Sequence, residues 1–423
     1  METVKMGKAA GASLHPWAYL ASFGMSGFSL GLTTCINTLI FLSRGLSLSL
    51  FSLAIGLNFI TVMALEMPSG IAGDLWGRKR VWMISRVMTL ASLACYAFGN
   101  VPVVLLGCVL SGAGIAFSSG TLDALYMERW MHERGENALG KAQMWYSAVQ
   151  YSSMGIGSLV GGILSGFSLW GIPYNGNLVT AFVLTAAALI WIGFLVPEDI
   201  PHREKSQNSS PPMRQMLEQG KQALAAAKKF PVLMVCLIGA VVMGFTTSGV
   251  ELYWQPHLET LAENWDIGFL LGLLSFAGMA AVVLGSVVSG KLSTLVKTEQ
   301  GRICIYLAAR LAMALVMITA ALWLRLPAFC LLYTLYYLVM GCQDTMDAML
   351  LQSNALDEMR GTLMSVQSFA LRLGGLVSQL LSAAVLAFLG IPVLWLLLAA
   401  VFLLGSSFCG IYYRSRAGNV HKK

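Results

Sequence analysis

The segment Gly70-Ile-Ala-Gly73-Asp74-Leu-Trp-Gly77-Arg78-Lys79-Arg80 separates two long apolar stretches of the chain. It combines three glycines, one acid and three consecutive bases. Glycine permits tight turns and close approach of backbones, and basic residues are enriched in the cytoplasmic loops of membrane proteins. We therefore predict a short turn between two membrane-spanning helices, with Gly77 in the turn and with Gly70 and Gly73 in a closely packed helix end.

The composition predicts an all-α membrane protein. Hydrophobic residues make up 57% of the 423 residues and charged residues 11%, whereas a soluble domain has about 45–50% and about 25%. Because a transmembrane helix needs about 20 residues, the chain has room for twelve helices and their loops. The predicted spans are 16–42, 48–74, 80–100, 101–129, 141–168, 176–196, 231–257, 266–292, 301–324, 326–356, 361–389 and 391–413.

The basic residues predict the orientation and the domain boundaries. With both termini cytoplasmic, Arg78–Arg80 and the hydrophilic 197–229 stretch lie inside, while Arg44 and Arg325 lie outside, as the positive-inside rule expects. The net charge of +7 then follows from topology, and no nucleic-acid partner is needed. We expect an N-terminal bundle (1–196), a cytoplasmic linker (197–229) and a C-terminal bundle (230–423) in a bacterial inner membrane.

The two halves of the chain repeat each other. A shift of 217 residues aligns Gly27 with Gly244 and Gly157 with Gly374, and a slightly different shift aligns Thr121-Leu-Asp123-Ala with Thr345-Met-Asp347-Ala. Each match is weak alone, but they fall in register across corresponding helices. The sequence therefore predicts two parallel repeats of six helices each.

The pattern Gly-x-x-(Gly or Ala)-Asp-x-x-Gly-Arg-(Lys or Arg) that begins at Gly70 resembles the loop between the second and third transmembrane helices of the major facilitator superfamily of secondary transporters. The resemblance implies a substrate site near the bilayer midplane between two six-helix repeats. It also implies a conformational latch that favours the outward-open state, in which Asp74 faces the start of helix 11 and Arg78 pairs with an acid of helix 4. Glu128 and Asp123 are the candidates for that acid.

Two other patterns of the drug/proton antiporters in this family are only partly present. Cys108 stands where these antiporters usually carry an arginine in helix 4. Their Gly-Pro-x-x-Gly-Gly element in helix 5 is matched by Gly157, Gly161 and Gly162, with Ser158 in place of proline. The surviving glycines favour export, whereas the missing arginine removes the usual basic partner from a proton relay.

Charges inside apolar spans are costly unless they are paired or hydrated, so each is a functional candidate. Glu66, Glu251 and Asp123 are the proton-coupling candidates, because a carboxyl group without a basic partner in apolar surroundings binds a proton readily. We expect Glu66 and Glu251 to be unpaired, since no base lies near either in the sequence. Arg372 is interpreted as the deepest base, and it is predicted to pair with Asp347, in a functional or a purely structural role.

Substrate clues are few. Gln150, Tyr253, Trp254 and Gln255 are candidates for the lining of a central cavity, with core packing as the alternative role for each. The eight cysteines and five histidines form no metal-binding or disulfide pattern, and no cofactor or metal is expected.

Three functions remain open at this stage. The first is a proton-coupled exporter of lipophilic or amphipathic small molecules, such as drugs, metabolites or siderophore-like compounds. The second is a proton-coupled importer of a nutrient or metal chelate, in which Arg372 attracts an anion. The third, an intramembrane enzyme, is disfavoured because no catalytic motif is complete. The expected partners are a small-molecule substrate, protons and the lipid bilayer, and the transporter is expected to be a monomer.

Overall fold

The computed structural model describes residues 17–134, 139–196, 221, 225, 227–228, 230–262, 267–296, 298–355 and 360–420. Within these residues the chain forms fourteen helices, apart from one isolated bridge between Leu169 and Ile172. In chain order they are α1 (Trp17–Thr34), α2 (Asn37–Ser43), α3 (Leu48–Trp76), α4 (Arg78–Phe98), α5 (Val101–Ser118), α6 (Leu122–Arg134), α7 (Leu139–Leu164), α8 (Asn175–Leu195), α9 (Pro231–Leu261), α10 (Ile267–Leu295), α11 (Glu299–Leu322), α12 (Leu326–Asn354), α13 (Arg360–Leu386) and α14 (Ile391–Val420). The predicted linker falls largely outside the described residues.

The helices confirm a multi-pass membrane protein. Among the described residues, ten helical segments are long and apolar enough to cross a membrane, and the pair α1–α2, bent by 55°, makes an eleventh. In this set α5 and α6 belong to one span, Val101–Met131. The remaining predicted span is α7, whose first half carries polar residues such as Gln143, Ser147 and Gln150. These residues lower its apolar character without interrupting the helix.

Equivalent helices pack in the same way in both halves. In the first half α1 packs on α7 and α3 on α5, and in the second α9 packs on α13 and α10 on α12. The glycines aligned by the repeat lie at equivalent crossings. A Cβ atom would overlap the backbone of Phe28 at Gly157, and that of Val241 at Gly374. Only glycine allows helices to approach this closely, so the repeat in the sequence corresponds to a repeat in packing.

The halves meet mainly along two helix pairs, α7 with α10 and α3 with α13, and α2 also contacts α9. Gly162 of α7 lies against Gly268 and Gly272 of α10, where an added Cβ would be 2.6 Å from the Gly272 Cα. We call the two ends of the bundle the Arg44 end and the Arg78 end, after the loops that contain these residues. Gly162 lies near the Arg44 end, because it is close to the last residue of α7.

The turn between α3 and α4 has the predicted conformation at Gly77. Its φ of 91° and ψ of 140° lie in a region that is essentially restricted to glycine. Lys79 donates to the carbonyls of Gly193 (2.9 Å) and Val196 (2.6 Å), which end α8. This contact satisfies carbonyl groups at a helix terminus.

The predicted close packing at Gly70 and Gly73 is wrong for this structure. Among the described residues, a Cβ atom at Gly70 would meet nothing within 4 Å, and one at Gly73 would approach only the Arg78 side chain, at 3.9 Å. The sequence pattern identifies the helix end but cannot show which helix, if any, lies against it. The side chain of Asp74 lies outside the described part of the structure.

Candidate transport pathway

Hydrogen bonds join the two halves at the Arg44 end. The Thr38 N–H donates to Gln255 Oε1 (2.9 Å), and Gln255 Nε2 donates to the Thr34 carbonyl (2.7 Å). The hydroxyls of Ser52 and Tyr253 are hydrogen-bonded, and Ser49 Oγ donates to the Ala383 carbonyl (2.7 Å). Every hydrogen bond that links described residues of the two halves lies in this region. The Arg44 end is therefore closed.

Two of the four cavity candidates, Tyr253 and Gln255, belong to this closure. Tyr253, Trp254 and Gln255 are 0%, 3% and 1% exposed, which corresponds in this conformation to core packing, the alternative role, and not to the lining of an open cavity. Tyr253 and Gln255 instead supply hydrogen bonds between the halves. Gln150 is half-buried, and its carbonyl oxygen would be 2.7 Å from a Cβ atom at Gly27. Its backbone thus packs against α1.

Glu66 and Arg372 form an ion pair between the halves. Arg372 Nε lies 3.9 Å from Glu66 Oε2, and the side chains are 25% and 37% exposed. This contact corrects two predictions, that Glu66 is unpaired and that Arg372 pairs with Asp347. Neighbours in sequence could not reveal the partner, because α3 and α13 meet only in the tertiary structure. Both residues lie about 15–20 Å from the Arg78 end of their helices, yet both remain accessible, which indicates a cavity open toward that end.

Asp347 has other neighbours. Gln367 of α13 donates a hydrogen bond to its Oδ2, whereas its buried Oδ1 has no hydrogen-bond partner among the described residues. Arg310 of α11 acts on it electrostatically, without an ion pair within the described residues. Asp347 is therefore part of a polar cluster inside the second half.

Arg310 is a buried base that the sequence analysis missed, and it corrects the interpretation of Arg372 as the deepest. Its side chain is 0% exposed. Nε donates to Ser406 Oγ (2.8 Å), and Nη1 donates to the Gly239 carbonyl (3.2 Å) and the Tyr306 hydroxyl (3.0 Å). The guanidinium carbon also lies 4.4 Å from the Phe402 ring centre. A single arginine in the middle of an apolar span was the available signal.

Glu251 faces an internal space. Its side chain is exposed, whereas Val250 and Trp254 on the same helix are buried. It interacts electrostatically with four residues of α12: Tyr333, Tyr336, Tyr337 and Asp344. An accessible side chain with these neighbours lies between α9 and α12 rather than against lipid. Among the described residues, no ion pair joins Glu251 to a base.

The first half contains the ion pair expected for the turn segment. Arg78 Nη1 lies 2.6 Å from Glu128 Oε1, with side chains 26% and 51% exposed. Asp123, the other candidate partner, has a buried Oδ1 without a hydrogen bond among the described residues. It lies within electrostatic range of Tyr146. The geometry thus selects Glu128 over Asp123 as the partner of Arg78.

The helix 5 glycines lie at close contacts. At Gly157 and Gly161 an added Cβ atom would overlap α1, the latter at 2.7 Å from the Leu32 carbonyl oxygen, and at Gly162 it would overlap α10. The first two glycines therefore hold α7 against its own half, and the third holds it against the other half. No three His, Cys, Asp or Glu side chains of the described residues lie close enough together to hold a metal ion.

These features together are those expected of a carrier that alternates between two states. One end is sealed by hydrogen bonds between halves, and carboxyl groups line the space beneath the seal. The contacts between halves consist of glycines and a few polar groups, so they can be broken and re-formed as the halves rock.

Comparisons with known proteins agree with this geometry. The nucleoside transporter NupG superposes with a TM-score of 0.74 at 14% identity, over 93% of this chain and 98% of its own. A bacterial homologue of the human lysosomal transporter Spinster, in an inward-facing and unoccupied conformation, has a TM-score of 0.70 at 14% identity, over 96% and 98%. A D-xylose-proton symporter has 0.68 at 14%, over 93% and 96%.

At these identities the likeness establishes the fold alone. No curated protein sequence matches the chain. The family model described as Major Facilitator Superfamily matches residues 18–379. The chain therefore belongs to the Major Facilitator Superfamily, as a membrane transporter of small molecules and not an enzyme.

Proposed function

We propose that the protein is a proton-coupled exporter of lipophilic or amphipathic small molecules that works by alternating access. The observation that carries the proposal is Glu251, an accessible carboxyl group in a membrane span with no basic partner among the described residues. An ionised carboxylate in this position is costly, whereas the protonated form is neutral. Glu251 can therefore take up a proton in one state of the transporter and release it in the other.

Glu66 is less suited to this role. Its carboxyl group already forms an ion pair with Arg372, so Glu66 lacks the unpaired state on which the proposed role depends. The same contact weakens the alternative of an importer of anions, since that function depends on a free Arg372. The observations thus favour the exporter, with Glu251 as the proton carrier.

The direction of transport is part of the proposal. With both termini cytoplasmic, the sealed Arg44 end lies outside and the cavity opens to the cytoplasm, which is the state in which an exporter takes up its substrate. The glycines of α7, which resemble an element of drug/proton antiporters, support the same direction. We place the transporter in a bacterial inner membrane as a monomer.

The proposal is tested with the full chain in lipid vesicles that carry an imposed pH gradient. Wild-type protein is expected to move an amphipathic fluorescent dye against its concentration gradient, and Glu251→Gln to abolish this coupling. The matched control is Glu259→Gln, an exposed acid on the same helix, which should transport as wild type does. Intact proton-driven transport in Glu251→Gln would exclude the proposed coupling.

Direction is measured in cells. An exporter lowers dye accumulation, and an uncoupler restores it. An importer gives the opposite sign in both measurements, and that outcome would overturn the proposed direction.

We further propose that Arg78 and Glu128 act as a latch that favours one state of the transporter. The contact joins α4 to α6 at the Arg78 end, where the cavity opens. Arg78→Gln and Glu128→Gln should therefore slow transport to the same extent, and the double variant should be no slower than either alone. Independent, additive losses in the two variants would contradict a shared latch.

A further inference from the structure

A groove runs between α11 and α14 on the outer surface of the second half. Its volume is about 270 Å³. Helix α11 packs mainly on α12 and α14, and α14 packs mainly on α9 and α11, so the groove lies away from the main contacts between the halves. It is therefore separate from the candidate transport pathway. The lining includes Leu307 and Leu311 of α11 and Leu403, Ser407, Gly410 and Arg414 of α14.

The groove has a charged end and an apolar end. Its α14 residues follow the helical repeat and share one face of that helix. Arg414 lies near the end of the apolar span Ile391–Arg416, at the Arg78 end of the bundle, whereas Leu403 lies about 16 Å deeper. A Cβ atom at Gly410 would be 3.2 Å from the Leu307 side chain, so the absence of a side chain keeps the middle of the groove open.

Arg414 supplies an available positive charge at the mouth of the groove. Its side chain is exposed, and it has no ion pair or hydrogen bond with another described residue. The acid at the start of α11, Glu299, accepts a hydrogen bond from the Tyr413 hydroxyl (3.0 Å). A guanidinium group presents paired N–H donors that match the oxygens of a phosphate group. The mouth of the groove therefore suits a phosphate group.

Hydroxyl groups lie between the charged and the apolar end. Ser407 is exposed, two turns or about 10 Å below Arg414, and has no hydrogen bond with another described residue. Ser406 Oγ, in the wall of the groove, accepts a hydrogen bond from Nε of the buried Arg310 (2.8 Å). A second positive charge therefore lies behind this wall. The free Ser407 hydroxyl can donate to a carbonyl oxygen.

We propose that this groove binds an anionic phospholipid. The headgroup phosphate lies on Arg414, the ester groups lie near Ser407, and part of one acyl chain packs along Leu311 and Leu403. The order of charged, hydroxyl and apolar groups in the groove is that of headgroup, ester and chain in the lipid. A basic pocket between membrane helices is a known form of recognition site for anionic headgroups. A zwitterionic lipid offers the same phosphate, but its cationic amine is repelled by the arginine.

A second copy of the chain is a poorer occupant of the groove. The two subunits of a symmetric dimer contribute the same surface patch. Because both would have the same orientation in the membrane, two Arg414 guanidinium groups would lie opposite each other at the same depth. Like charges repel, whereas an anionic lipid neutralises the charge. The inference goes beyond the proposed function and does not depend on it, because the groove lies outside the pathway.

The test measures lipid binding to the purified full chain in detergent by native mass spectrometry. The probes are phosphatidylglycerol and phosphatidylcholine with identical acyl chains. Wild-type protein is expected to bind the anionic lipid about fivefold more tightly, as expected for one arginine near the membrane surface. Arg414→Gln should remove this preference, and Arg414→Lys should retain much of it. The matched control is Arg416→Gln, an exposed base that stacks on Tyr412 and should leave the preference unchanged.

The groove itself is tested by filling it. Ser407→Leu keeps Arg414 but occupies the space for the lipid, so it should also remove the preference. Phe408→Leu, at an exposed neighbouring position outside the lining, should bind as wild type does. Each variant is first checked for a monodisperse elution profile and a thermal midpoint close to that of the wild type. Retained preference in a well-folded Ser407→Leu variant would show that attraction to Arg414 needs no groove, and would overturn the site.

Two other outcomes would also overturn the proposal. Equal binding of the two lipids by the wild type, or a preference unchanged by Arg414→Gln, would show that Arg414 selects no headgroup. Displacement of the lipid by inorganic phosphate, but not by chloride at the same ionic strength, would show that the site binds free phosphate. The expected result is that neither salt displaces the lipid selectively, because the acyl chain contributes to its binding.

Discussion

The geometry of the ion pair between Glu66 and Arg372 allows us to predict how far this one contact shifts the equilibrium between the two conformational states of the transporter. At 3.9 Å, two unit charges interact by about 4 kcal/mol for an effective dielectric constant of about 20. Because the side chains are 37% and 25% exposed, water screens the pair, and we expect a coupling of about 1 kcal/mol. This corresponds to about a fivefold change in the ratio of the two states.

The perturbation is a double-mutant cycle of Glu66→Gln, Arg372→Gln and the combined variant. The readout is the distance between spin labels at Phe167→Cys and Phe388→Cys, two exposed positions in loops of opposite halves at the Arg44 end. Native cysteines are replaced in this background, and the protein is placed in lipid nanodiscs. Each single variant should lower the fraction closed at the Arg44 end, because the pair forms in the closed state.

Charge reversal is the control. The combined variant Glu66→Arg with Arg372→Glu should restore much of the closed fraction, since the opposite charges still face each other. The effects of two independent substitutions usually add to within about 0.3 kcal/mol. A coupling energy below about this value would therefore refute the conclusion that the ion pair stabilises the closed Arg44 end.

Two further predictions concern stability. Gly157→Val should destabilise the protein by about 1–3 kcal/mol, because its side chain would overlap the α1 backbone at Phe28. Gly70→Ala, where a Cβ meets open space, should leave the thermal midpoint in detergent unchanged or higher, and equal losses at both sites would contradict the packing argument. Arg310→Gln should cost about 3 kcal/mol or more through lost hydrogen bonds to a charged group. Exposed Arg416→Gln should have no measurable effect on the midpoint, and an equally small effect of Arg310→Gln would show that its bonds contribute little.

Close packing between helices could be predicted only where the repeat supplied a second observation. The glycines aligned between halves, Gly157 and Gly374, both lie at backbone crossings. Gly70 and Gly73 had no such support, and both lie away from close contacts. Glycine spacing alone identifies a helix that could pack closely, whereas the neighbour that would use the space belongs to the tertiary structure.

The partners of buried charges were the least predictable feature. Helical periodicity places Glu251 and Trp254 on one face of α9, but it does not specify the rotation of that helix against α12. Arg372 and Asp347 lie on adjacent helices at similar depth, and yet Arg372 faces Glu66 across the interface between halves. A rotation of a helix by a fraction of a turn changes the partner without changing any feature of the sequence pattern.

The sequence by itself determined the membrane-spanning helices, the Gly77 turn and the repeat of the two halves. Lipid imposes the spans locally, because every span must be apolar and must satisfy its own backbone hydrogen bonds, and the turn and the repeat are visible as residue patterns. Only the tertiary structure decided which end is closed and which charges are paired. The closing contact between Thr38 and Gln255 joins residues 217 positions apart, so it depends on how the two halves pack, and no local pattern specifies that packing.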